Sequence, residues 1–216
     1  MSPTTRTRTL STAEERREDV LSTAIGAFAA RGYFGTTTVE VAKRAGISQA
    51  YLYRLFPDKE SLFAAVTERC FERFRESLSE GAAAAPGSSP EVVLSAMAGA
   101  YTLLIRDQDL LLVQLHAQCA AVSVPEIRRA VQRGYARLVE YTRSVSGGSE
   151  AQVREFFAKG AMCSVVVTMG AEQVDAPWAR TLVDGPAGTD RRDGPPGRRA
   201  VTLTVASNQP LPWQAT

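Results

Sequence analysis

Two groups of side chains in this 216-residue chain have types and spacings that could do chemistry. The denser is Gln49, Ala50, Tyr51, Tyr53 and Arg54. Arg can pair bidentately with guanine, Gln with adenine, and Ala can touch a thymine methyl. On one helix face, the set could therefore read base edges in a DNA major groove. Thr37, Ser48 and Lys59 surround it. Thr37 and Ser48 stand at helix starts, where unpaired N–H groups attract phosphate; Lys59 opens a further helix, and Tyr53 can donate its hydroxyl. The second group is His116 with Cys119, three residues apart. It offers a base beside a nucleophile, or two metal ligands. No second His or paired Cys completes a zinc set, no motif supplies an orienting third group or an oxyanion hole, and there is no Gly-rich phosphate loop. No enzyme, metal or cofactor is therefore expected, and a helical enzyme using His116 and Cys119 stays as the minor alternative.

The elements that would position the first group are legible as helices. Val20, Leu21, Ala24, Ile25 and Phe28 mark one face of a helix over 12–31, stopped by Gly32. Thr37 and Glu40 form a capping-box pattern opening a helix over 38–45. Gly46 ends it, and Ser48 is a good N-cap for 49–55. Val41, Ala42 and Ala45 should face Ile47, Leu52 and Phe56, giving a helix-turn-helix that leaves Gln49 to Arg54 outward. Pro57 and Asp58 break and recap the chain before a helix over 58–79, with Leu62, Val66, Cys70 and Phe74 four residues apart. Corners of this kind also occur in folds that bind no DNA. Tyr51 and Tyr53 could simply pack, and Arg54 and Lys59 could simply be solvated.

Residues 81–90, an Ala run with Pro86, Gly87 and Pro90, read as a loop. Four helices follow, over 91–106, 109–122, 126–146 and 150–171. Gly147, Gly148 and Ser149 suit a hairpin between the last two, and a helical turn over 178–183 closes the fold. The third of these carries Ile127, Val131, Gly134, Leu138, Tyr141 and Val145 at steps of three and four. From 185 onward Pro, Gly and Arg accumulate, and disorder is expected, with a five-residue strand at 201–205 only if a partner existed.

Composition narrows the classes. Apolar residues make up 44%, enough for a core. No apolar run approaches a membrane helix, and residues 1–11 read as a flexible start without a signal-peptide core. Cys70, Cys119 and Cys163 are odd in number and widely spaced, which favours free thiols in a reducing cytoplasm. The net charge of +2 says little until divided along the chain. Residues 1–60 hold nine cations against seven anions, so the whole excess lies with the helix-turn-helix.

The run Gly32-Tyr33, Thr36-Thr37, Val41-Ala42, Ala45-Gly46-Ile47-Ser48, Leu52-Tyr53, Phe56, Lys59 and Leu62 resembles the DNA-binding domain of TetR-type transcriptional regulators. The resemblance implies an all-α homodimer, with a helix-turn-helix domain over 12–57 and a helical effector-binding and dimerisation domain over 58–184. It implies a repressor released from a pseudo-palindromic double-stranded DNA operator by a small molecule. Three residues depart from the pattern. Thr38 stands where the family usually has an apolar residue, so a slightly looser corner is expected. Tyr51 replaces a residue that is often small, and Leu55 one that is often aromatic or His, which alters the surface that would read the operator.

Met97, Tyr101, Leu104, His116, Cys119, Met162, Val166 and Met169 lie on the helices that the family arranges around its effector cavity. A cavity so lined would favour a largely apolar ligand with one or two polar anchors. His116 could equally be a hydrogen-bonded structural side chain, and methionines at helical spacing also fill cores. Val153, Phe157, Gly160, Ala161, Ser164 and Thr168 form a stripe whose small members let another helix approach, which suits a dimer interface. A constitutive dimeric DNA-binding regulator without a ligand is the other alternative.

Overall fold

A computed structural model describes residues 5–184 of the chain, all of it helix and connection, with no strand among the described residues. The expected tail over 185–216, with its possible strand, lies outside the described residues. Nine α-helices follow one another among these residues: α1 (Thr5–Gly35), α2 (Thr38–Arg44), α3 (Gln49–Leu55), α4 (Lys59–Ala83), α5 (Pro90–Leu104), α6 (Gln108–Ala121), α7 (Pro125–Ser146), α8 (Glu150–Met169) and α9 (Pro177–Asp184). A short 3-10 turn at Ala171–Gln173 precedes α9. The described residues divide into two compact units, those up to 76 with 107–140, and 77–106 with those from 141 onward. Two of the three divisions fall inside α4 and α7, and the third in the connection between α5 and α6.

The first unit is built on the apolar stripe of α1. Val20, Ala24, Ala27 and Phe28 are buried, and the Phe28 ring meets that of Phe63 on α4 at 4.6 Å between centroids. Leu62, Val66, Cys70 and Phe74, the stripe expected on α4, are all buried. The Cys70 thiol donates to the Leu110 carbonyl on α6 at 3.4 Å. Burial, and then the charge of Asp107, push that thiol up to about 12. α6 lies along α1, with Leu110, Leu111, Val113 and Ala117 turned inward.

α1 begins at Thr5 rather than near 12, and its helical dihedrals break at Gly32, where φ is +66°. Left-handed backbone favours glycine because a Cβ there crowds the following carbonyl. The space is closed as well: a Cβ at Gly32 would lie 2.7 Å from Nδ1 of His116. His116 donates from Nε2 to the Ala29 carbonyl at 3.2 Å, so one imidazole covers the last turn of α1 and the glycine that ends it. Thr36, fully buried, donates its hydroxyl to the Ala27 carbonyl at 3.2 Å and holds the chain as it leaves that turn.

In the second unit α8 packs on α5. Tyr101 and Ser164 share a hydrogen bond of 2.8 Å, and Gln152 donates to Glu91 at 2.6 Å. A full capping box between Ser149 and Gln152 opens α8, and Gly147, at φ +64°, turns the chain out of α7. The loop expected over 81–90 is shorter, because α4 continues to Ala83. Alanine is the strongest helix former, so the Ala run extends the helix. Gly81 also has a packing role: a Cβ there would lie 2.8 Å from the Ala96 carbonyl of α5. On α7 the expected stripe is only partly internal, with Ile127 and Leu138 buried but Val145 exposed.

Gly32→Ala combines left-handed strain with a clash against His116, so unfolding free energy should fall by about 2–4 kcal/mol. Denaturant titration would measure it. The double variant Gly32→Ala/His116→Ala should recover the part caused by the clash.

Candidate nucleic-acid interface

α3 has only seven residues, and three devices hold it. Ser48 caps its N-terminus, accepting from the Tyr51 N–H at 3.1 Å. Leu52 and the following Phe56 are buried against the first unit's core. At the C-terminal end the Arg17 guanidinium donates to the Leu55 carbonyl at 2.6 Å and lies 4.1 Å from the Phe56 ring centroid. A cation on the last carbonyls of a helix satisfies an otherwise unpaired acceptor and opposes the negative end of the helix dipole. α2 is capped by Thr37, whose hydroxyl accepts from the Glu40 N–H at 3.2 Å. α4 opens on a reciprocal pair in which Asp58 accepts from the Ser61 N–H at 2.7 Å, while Ser61 accepts from the Asp58 N–H at 3.2 Å. Those bonds to Ser61 hold the Asp58 carboxyl below its ordinary value.

The expected outward set emerges on one short helix. Gln49, Ala50, Tyr53 and Arg54 are exposed, while Tyr51 is half-buried. The Arg54 guanidinium lies over the Tyr51 ring at 6.0 Å, so the bulkier residue at 51 gives the arginine a surface to lean on. Thr38 does the opposite of what its departure from the family pattern suggested. Its hydroxyl accepts from Gln49 Nε2 at 3.0 Å and lies 3.0 Å from the Tyr53 hydroxyl, so the corner is tied together there. Lys59 places its ammonium 4.6 Å from the Tyr33 ring centroid, and partial burial lowers its pKa from the ordinary lysine value. Burial, with the nearby Glu60 and Asp58 carboxylates, raises that of Tyr33.

Residues 20–66 match the family described as bacterial regulatory proteins, tetR family. That match covers the helix-turn-helix from α1 to the start of α4, less than half of the chain. The nucleoid occlusion factor SlmA of Haemophilus influenzae is 43% identical over 58 residues, which are 26% of this chain and 27% of SlmA. That match spans little more than a quarter of the relative's length. A TetR-like transcriptional regulator of Rhodococcus sp. RHA1 superposes with a TM-score of 0.56 at 27% identity, covering 77% of this chain and 92% of that one. The regulator FadR of Bacillus subtilis, in complex with stearoyl-CoA, superposes with a TM-score of 0.60 at 18% identity, covering 79% and 99%.

The residues expected to line an effector cavity fall in both units. In the first, His116 is half-buried against Gly32 and Ala29, and Cys119 is exposed. In the second, Met97 and Val166 are buried, Tyr101 and Leu104 are half-buried, and Met162 and Met169 are 46% and 51% exposed. A separate groove of about 530 Å³ runs in the first unit beside α1, α4 and the start of α6, with Glu18, Asp19, Arg69, Arg73, Asp107 and Asp109 on its walls. None of the expected effector residues lines it. Among the described residues no cluster of three or more His, Cys, Asp or Glu side chains could hold a metal. No described helix is long and apolar enough to cross a membrane.

Arg17 carries no local sequence signal of its role, because its side chain reaches a carbonyl 38 residues further along the chain. Its replacement in Arg17→Met should destabilise the first unit by on the order of 1–2 kcal/mol, since the Leu55 carbonyl loses its charged donor. Thermal unfolding would register the loss, and DNA binding should weaken on all sequences alike.

Proposed function

We propose that this protein is a homodimeric DNA-binding transcriptional regulator, a repressor released from a pseudo-palindromic operator by a small, largely apolar effector. The observation that carries the reading is the exposed face of α3. Gln49, Ala50, Tyr53 and Arg54 point outward from a helix fixed at both ends, with Thr37, Ser48 and Lys59 around it. A helix of this size enters the major groove, and two of them in a dimer would engage half-sites about 34 Å apart. Base contacts fall to Gln49, Ala50, Tyr51 and Arg54, and phosphate contacts to Thr37, Ser48, Tyr53 and Lys59. The division of labour proposed is DNA contact by 12–57, and effector binding and dimerisation by 58–184.

The dimer reading is supported by α8. Of the stripe expected there, Val153 and Ser164 are buried and Ser164 bonds Tyr101 of α5, while Ala161 and Thr168 are exposed together with Ala158, Met162, Val165 and Met169, an apolar face at helical spacing that another helix can approach. The effector reading rests on Met97, Tyr101, Leu104, His116, Cys119, Met162, Val166 and Met169, with the Tyr101–Ser164 pair as a polar anchor. FadR of Bacillus subtilis, which shares the fold, has been solved in complex with stearoyl-CoA, which supports the choice of a largely apolar effector. α4 is the proposed lever, and α6, packed along α1 through His116, would carry a shift into the same domain. By linkage, an effector that weakens DNA binding must bind the DNA complex more weakly by the same factor. The protein is taken to act in the cytoplasm as a DNA-binding protein without enzymatic activity.

Selection of genomic fragments by the purified protein tests the reading, and binding that depends on salt alone would overturn it. On a selected duplex, Arg54→Ala should relax preference at one base pair, costing about 1–3 kcal/mol. Lys59→Ala should instead weaken every sequence and reduce the salt slope by about one. Both are read by fluorescence anisotropy across a salt series. Val165→Glu should turn a dimer into a monomer at micromolar concentration in sedimentation velocity, because it sets two like charges into an apolar contact.

A further inference from the structure

Thr38 touches both kinds of proposed DNA contact at once. Its hydroxyl accepts from the amide Nε2 of Gln49, a base reader, and is 3.0 Å from the hydroxyl of Tyr53, a phosphate binder. The side chain is 9% exposed, so water competes little for that oxygen. We propose that Thr38 is a positioning residue for operator recognition, one that makes the base preference of Gln49 depend on the phosphate contact of Tyr53. The proposal rests on the DNA-binding reading above.

Proton counting gives the reason. A hydroxyl has one proton to donate, and a phosphate oxygen only accepts. Once Tyr53 gives its proton to a phosphate, it can only accept from Thr38, so Thr38 must donate to Tyr53. The Thr38 oxygen is then left with lone pairs alone on the Gln49 side. It accepts the Gln49 N–H and rejects the Gln49 carbonyl. The row therefore runs in one direction, from Gln49 through Thr38 and Tyr53 to phosphate, each bond polarising the next.

The Gln49 amide would otherwise turn freely, since the terminal torsion of glutamine is broad and nearly two-fold. Held through one N–H, it keeps its carbonyl and its second N–H for the groove. That acceptor–donor pair matches the N6 amino group and N7 of adenine. Turned over, the amide would present the two in the reverse order and lose the match. The apolar residue usual at this position in the family would pack as well but could not set that sense.

The test uses the full chain and the strongest duplex that the wild-type protein selects from a random library. Each A·T pair of a half-site is exchanged for G·C in turn, and Gln49→Ala identifies the pair that Gln49 reads. The wild type should prefer A·T there by about tenfold or more. Thr38→Val, nearly isosteric, should cut the preference to about threefold or less with unchanged affinity for a non-specific duplex, and lower the thermal midpoint only by the loss of its two hydrogen bonds. Tyr53→Phe should erode preference at the same pair, and Thr38→Ser should restore it. Full preference in Thr38→Val overturns the inference. So does an equal loss on every duplex, the mark of a merely structural residue, and so does a Gln49→Ala variant that changes no preference. A wild-type protein that selects no duplex overturns the DNA-binding reading itself, an outcome distinct from these.

Discussion

A helix of seven residues is not stable in water on its own, because fixing the first turn costs more conformational entropy than so few hydrogen bonds return. α3 is such a helix, and every proposed base contact rides on it. Its order must therefore be supplied from outside. Leu52 and Phe56 anchor it to the core, Ser48 closes its first turn, Arg17 closes its last, and Thr38 ties two of its outward side chains to α2. Arg17 and Thr38 come from other stretches of chain, and Leu52 and Phe56 need a core to pack on, so the exposed face is only as rigid as the packing of α1, α2 and α4 beneath it.

The same dependence explains the end of α1. The chain must leave that helix, pass Gly32 in a left-handed turn and re-enter α2 with Thr36 and Thr37 in register. His116, from a helix more than eighty residues later in the chain, covers that turn. A displacement of α6 would bear on this joint through His116. It would reach α3 through α2, without any contact between α6 and the reading face.

The helix-turn-helix was legible in the residues because its signals are local: N-caps three residues from their partners, a glycine at the turn, apolar residues at helical spacing. Leu62, Val66, Cys70 and Phe74 followed the same logic along α4. What escaped were side chains whose partners are remote in sequence. Arg17 reaches Leu55 and His116 reaches Ala29, and no periodicity encodes such pairs. The loop expected over 81–90 starts later for a related reason: Gly81 lies within α4, and its missing side chain serves a helix crossing set by α5. Thr38 was visible as an anomaly, but its consequence depended on where Gln49 and Tyr53 point.

Arg17 also bears on what counts as the module. The family match begins at residue 20, three positions after the side chain that secures the far end of α3. A graft cut at the matched boundary would transplant the reading face and leave its fastening behind. Two chains alike across the matched segment can thus differ in how firmly they present it, through a residue that lies outside the comparison.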